Sequence, residues 1–120
     1  MNTHRKTVLV TGATGYIAGQ LLPVLRERYD LRLVDVRDTD RDGNPVQGVK
    51  VLDILDADQA EVEVIFDGVD TVVHCGYIRP RPDHVYEDER RNVDLMQRVF
   101  ELSMQAGVRR VVAASTNQAA

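Results

Sequence analysis

The stretch TGATGYIAG, Thr11 to Gly19, constrains the fold more than any other part of the chain. It follows the run Thr7 to Val10, continued by Thr11, which is short, β-branched and bounded by glycine, as a buried strand is. It opens the segment Tyr16 to Arg28, where Ile17, Leu21, Leu22 and Leu25 recur at helical spacing. A strand, a glycine turn and a helix in that order form a cradle for a pyrophosphate. Gly12 permits the tight turn, Gly15 lets the phosphates approach the backbone, and the helix N-terminus presents N–H groups without partners. Ala18, beside Gly19, is small enough for close helix–strand packing. Pro23 falls inside this helix, where it costs up to about 3 kcal/mol, and a kink or local distortion is expected there.

Beyond this unit the chain alternates. Leu31 to Val36 reads as a second strand, Arg37 to Pro45 as a charged surface loop and Gly48 to Leu52 as a third strand. Asp56 to Phe66 has an imperfect helical period and ends at Gly68, and Asp70 to His74 is a fourth strand. Tyr77 to His84, containing IRPRPDH, must be a loop. A long helix is predicted from Val85 to Gln105, with Val93, Met96, Val99, Phe100 and Ser103 along one side and Gly107 as its stop. Val108 to Ala114 is a fifth strand. Alternation of this kind predicts a Rossmann-type three-layer α/β/α fold with a parallel sheet in the order 3-2-1-4-5 and the glycine loop at a carboxyl edge.

Asp35 ends the second strand, 20 residues after Gly15, where a carboxylate can accept hydrogen bonds from both hydroxyls of an adenosine ribose. A 2′-phosphate there would meet like charge, so NAD is expected over NADP, although Arg37 could pair with such a phosphate. Val36 continues the same strand end. Asp53 follows the third strand and is either a cofactor contact or a turn acid before Asp56. His74 reads as a packed strand-end histidine, and Cys75 as a small buried residue. Gly76 lets the chain pass close to a cofactor. Asn92 carries a helix-propensity cost without a cap role, which suggests a tertiary hydrogen bond or a surface site. Ser115 and Thr116 sit at the carboxyl end of the fifth strand, where two hydroxyls could orient a substrate oxygen or simply end the strand.

The balance of charge, −4, gives no basic stripe for nucleic acid and no polybasic patch for a membrane. No apolar run approaches the ~18 residues of a membrane span. The N-terminus runs from basic residues into a strand with no room for a signal sequence. One cysteine excludes an internal disulfide and favours a reducing, cytoplasmic setting. That cysteine and three scattered histidines make no metal site. A nucleotide-triphosphatase is excluded because the glycine loop lacks the terminal Lys-Ser or Lys-Thr.

TGATGYIAG, Asp35, Asp53, VVHCG after the fourth strand, Asn92 and AAST after the fifth fall in an order that resembles the N-terminal part of the extended short-chain dehydrogenase/reductase family of nucleotide-sugar epimerases and dehydratases. The resemblance spans essentially the whole chain and implies an NAD-dependent enzyme. It implies that Tyr16 and Ile17 lie along the cofactor and that Asp53 and Ile54 contact the adenine. Cys75, Gly76 and Tyr77 would pass the pyrophosphate and nicotinamide ribose, and Asn92 would support the active site. Thr116 would take the place of the catalytic serine or threonine, with Ser115 its neighbour. STNQ from Ser115, with HCG, is most similar to a uronate dehydrogenase branch, which oxidises a hexuronate to an aldonolactone. That branch usually has serine–serine–asparagine–histidine, so Thr116 and Gln118 depart from it. A Tyr-x-x-x-Lys pair expected 20 to 30 residues past Thr116 is absent from these 120 residues. The chain is therefore expected to be one incomplete NAD-binding domain, truncated after its fifth strand, without the C-terminal catalytic and substrate-binding part. A sugar or sugar-acid substrate and a homodimer through the long helices are further implications. A nucleotide-sugar epimerase or dehydratase with tightly bound NAD and a non-catalytic NAD-sensing module remain the alternatives.

Overall fold

The computed structural model describes residues 5–114, so Ser115, Thr116 and the tail to Ala120 lie outside the described residues. In chain order the elements are β1 (Thr7–Thr11), α1 (Tyr16–Arg28), β2 (Asp30–Asp35), β3 (Val49–Val51), α2 (Gln59–Phe66), β4 (Thr71–His74), α3 (Val85–Ala106) and β5 (Arg110–Ala113). The strands form one five-stranded sheet in the order β3-β2-β1-β4-β5, parallel throughout, as the alternation predicts. Order reverses at β1, which pairs with β2 on one side and β4 on the other.

Alternation along the strands builds the layers. In β1, Val8 and Val10 join Ala18 and Leu22 of α1 and Leu33 of β2 on one face. Leu9, Val34 and Val72 face the other way and pack with Val62, Ile65 and Phe66 of α2 and Val99 and Leu102 of α3. Burying each of these large side chains contributes about 1.5–3 kcal/mol. This is the three-layer α/β/α arrangement of a Rossmann-type fold.

α1 runs from Tyr16 to Arg28 with Pro23 inside it. Pro23 and Gly19, whose carbonyl Pro23 cannot bond, are both on the exposed side, where water can take the missing donor's place. The core face of α3 matches the expected one only in part, at Val99 and Ser103. Val93 is 65% exposed and Phe100 42%, while Val99, Leu102 and Ser103 are buried, with Leu95 packed against the same cluster. The helix carries apolar residues on two sides, and its period alone cannot say which meets the sheet. Gly107 ends α3 as expected: at φ 77° it takes the left-handed conformation, and the Val108 N–H bonds the Ser103 carbonyl at 2.9 Å.

Candidate functional site

Because every strand runs the same way, the segments after β1, β2, β3 and β4 meet at one edge. The crevice beside β1, where strand order reverses, is where ligands bind in open sheets of this type.

Gly12 is fixed there by packing as well as by its turn. Its φ is 63°, and a Cβ on it would lie 2.6 Å from the Cys75 carbonyl and the Gly76 nitrogen. The glycine loop is therefore pressed against the end of β4. Gly15 has an ordinary φ of −79° and caps α1 without a side chain. A Cβ on it would come 3.3 Å from the Gly12 carbonyl. The first intrahelical bond is Gly19 N–H to the Gly15 carbonyl, 3.0 Å, so the N–H groups of Tyr16, Ile17 and Ala18 have no acceptor within the helix. These donors and the missing Cβ atoms fit a pyrophosphate. Ala18 is buried against the sheet as expected, while Tyr16 and Ile17 are exposed along the first turn.

Asp35 ends β2 and turns its carboxylate towards the glycine loop. Oδ2 accepts from the Thr14 amide at 2.9 Å and the Thr14 hydroxyl at 2.7 Å, and Oδ1 accepts from the Val36 amide at 2.7 Å. A carboxylate offers about four acceptor sites, so capacity is left at the half-exposed edge. Val36 is exposed beside it. Asp53 forms a turn, accepting from the Leu55 amide at 3.0 Å through Oδ1. That bond satisfies the turn-acid reading, and no bond recorded for the described residues engages Oδ2. The Ile54 side chain lies in the core.

The ends of β1 and β4 are latched by Thr11. Its hydroxyl oxygen accepts from the Cys75 amide at 3.1 Å and the Gly76 amide at 3.2 Å, and it is bonded to His74 Nδ1. An oxygen accepting two N–H groups has its own proton to give, so Nδ1 accepts and His74 is neutral, with its proton on Nε2. Burial lowers the His74 pKa, which agrees. His74 is thus a packed strand-end histidine. Burial likewise pushes up the pKa of the half-buried Cys75 thiol, against a nucleophilic role.

Asn92 makes the tertiary bonds its position suggested. Its Oδ1 accepts from the Ile78 amide at 2.6 Å and its Nδ2 donates to the Ile78 carbonyl at 2.8 Å. One turn earlier, buried Asp88 accepts from the Arg81 amide at 2.8 Å and from its guanidinium at 3.0 Å through each oxygen. The Arg81 hydrogen bonds, side chain first and then main chain, hold the Asp88 carboxyl at about 2, against an opposing effect of burial. Sequence reasoning missed Asp88, though its place four residues before Asn92, behind an arginine-rich loop, was a usable signal. It also missed Thr11 and Thr14, whose partners lie too far along the chain for any local signal.

Among the described residues no helix is long and apolar enough to cross a membrane. A family model described as "NAD dependent epimerase/dehydratase family" matches residues 8–120. The NAD-dependent glucose-6-phosphate dehydrogenase of Haloferax volcanii is 30% identical over 93% of this chain, and the uronate dehydrogenase of Pseudomonas putida 34% over 92%. The match covers 44% and 40% of those two proteins, so the chain spans about two fifths of their length. A crystal structure of a mutant uronate dehydrogenase from Agrobacterium tumefaciens complexed with NAD superposes with a TM-score of 0.73 at 28% identity, over 94% of this chain and 42% of that one.

Proposed function

Because the chain belongs to the NAD-dependent epimerase/dehydratase family, we propose that it is the cofactor-binding part of an NAD-dependent oxidoreductase that oxidises a hexuronate to an aldonolactone. The observation that carries this reading is the meeting of two features at one edge. Gly12 and Gly15 leave room for phosphates before unpartnered helix donors, and the Asp35 carboxylate stands beside them. The relatives bearing the names uronate dehydrogenase and NAD-dependent glucose-6-phosphate dehydrogenase support a sugar substrate.

NAD would be held by the Gly12–Gly15 loop and the amides of Tyr16, Ile17 and Ala18, with Asp35 and Val36 at the adenosine ribose. The Asp53 carboxylate and the Ile54 main chain would meet the adenine. Cys75, Gly76 and Tyr77 would pass the pyrophosphate and nicotinamide ribose, and Asn92 would hold the loop that follows. Bound there, NAD supplies the hydride acceptor. Thr116, with Ser115 beside it, would hydrogen-bond the reacting oxygen and orient the anomeric carbon.

The test is a steady-state assay of the full-length protein with galacturonate and glucuronate. NADH formation is expected, and Thr116→Val should lower kcat by the equivalent of about 2–4 kcal/mol, since a donor aimed at developing charge is lost. NAD affinity, measured separately, should not move. Turnover of a nucleotide sugar but not of either uronate would give the epimerase or dehydratase reading instead. Unchanged kcat in the variant would remove Thr116 from the reaction.

A further inference from the structure

The segment after β4 is fastened to α3 at three points. The Tyr77 hydroxyl donates to Glu89 at 3.2 Å, Ile78 is held through both main-chain groups by Asn92, and Arg81 is held by Asp88. These anchors fix the main chain on both sides of Arg79. Arg81 is spoken for: its guanidinium lies against both oxygens of a buried carboxylate. Arg79 is different. It is exposed, and among the described residues no ion pair or hydrogen bond engages its side chain. Its charge nevertheless reaches the Tyr77 phenol. Desolvation and then Glu89 raise that phenol's pKa, and Arg79 opposes them.

We propose that Arg79 recognises an anionic group of the sugar substrate, the carboxylate of a uronate or the phosphate of a hexose phosphate. This rests on the sugar-oxidoreductase reading above and gives that site its charge selectivity. Three arguments carry it. A guanidinium fork matches either anion in a bidentate way. The anchored main chain removes much of the ordering cost that a cation on a free loop would meet on binding. The cofactor phosphates have their own donors, at the glycine loop and the first turn of α1. Arg79 thus presents an unpaired cation beside Tyr77, on the segment that leaves the ligand edge. Asp88 and Asn92 are then positioning residues for the segment that presents it.

The experiment compares the full-length wild type with Arg79→Gln and Arg79→Lys. Steady-state kinetics are taken with galacturonate and with glucose 6-phosphate, and the NAD dissociation constant is measured separately by titration calorimetry. Removing one charge-assisted contact should lower kcat/KM for the anionic sugar about 10- to 100-fold, mostly through KM. Lysine should restore part of the loss, and NAD affinity should stay at the wild-type value. The sugar whose kcat/KM responds identifies the anion as carboxylate or phosphate. Unchanged kcat/KM in Arg79→Gln would overturn the proposal. So would weakened NAD binding, which would assign Arg79 to the cofactor phosphates. A wild type that binds NAD but oxidises neither anionic sugar would overturn the anion assignment alone. A wild type that binds no NAD would overturn the reading beneath it.

Discussion

Gly12 and Gly15 look alike in the sequence, and the structure separates them. At Gly12 a side chain would strike the backbone of Cys75 and Gly76 at 2.6 Å while also holding a φ of 63°. Neither the strand end nor the loop can yield without moving the other. Gly12→Ala should therefore cost about 1–3 kcal/mol of stability through strain, before any effect on ligand. At Gly15 the backbone is ordinary and the tightest contact is 3.3 Å, to the Gly12 carbonyl. Gly15→Ala should fold with nearly wild-type stability and show its penalty on the ligand side, as weaker NAD binding, by blocking the approach of the phosphates. Thermal unfolding and NAD titration of both variants distinguish the two roles. Equal stability losses at the two positions would contradict this division.

At the scale of elements, the joint between β1 and β4 has a pH signature. His74 is buried and accepts from Thr11 through Nδ1. Protonation would put a proton on an atom that faces an oxygen already taken by two amides. A pKa lowered in the folded state means the unfolded chain binds the proton more readily. The associated stability is present above the unfolded value of about 6.5 and is lost as pH falls below it towards the folded value. Melting temperature should drop between pH 7 and 5, and His74→Asn, which keeps an acceptor near the Nδ1 position, should flatten that drop. Asp88 acts in a separate window. Its carboxyl is held at about 2, so the stability it gives is present above the ordinary aspartate range and fades only as pH falls from there through about 2. A wild type with a flat profile from pH 7 to 5 would contradict the tautomer assigned to His74. The same element scale explains the partly misjudged face of α3. Asp88, Asn92, Leu95 and Val99 follow one stripe, and polar residues begin it because they hold a loop rather than fill the core.

 At the scale of the whole molecule, much was legible in the sequence. The glycine loop, Asp35 at the end of β2 and the stop at Gly107 follow from local pattern, because each is set by neighbours within a few residues, and the strand order follows from alternating strands and helices joined by right-handed crossovers. The rest depends on partners far apart in the chain. The core face of α3, which runs through Leu95, Val99 and Leu102, is chosen by the sheet and α2. Thr14 meets Asp35 across 21 residues and Thr11 meets His74 across 63, and no period or spacing announces such pairs. The central claim is that the edge beside β1 binds NAD, with Asp35 choosing it over NADP. The most direct measurement is calorimetric titration of the full-length protein and of Asp35→Ala with each oxidised cofactor. Wild type should bind NAD at least about tenfold more tightly than NADP, and the variant should lose NAD affinity by one or two charge-assisted hydrogen bonds, each about 1.5–3 kcal/mol. Equal or tighter binding of NADP by the wild type, or NAD affinity untouched in Asp35→Ala, would contradict it.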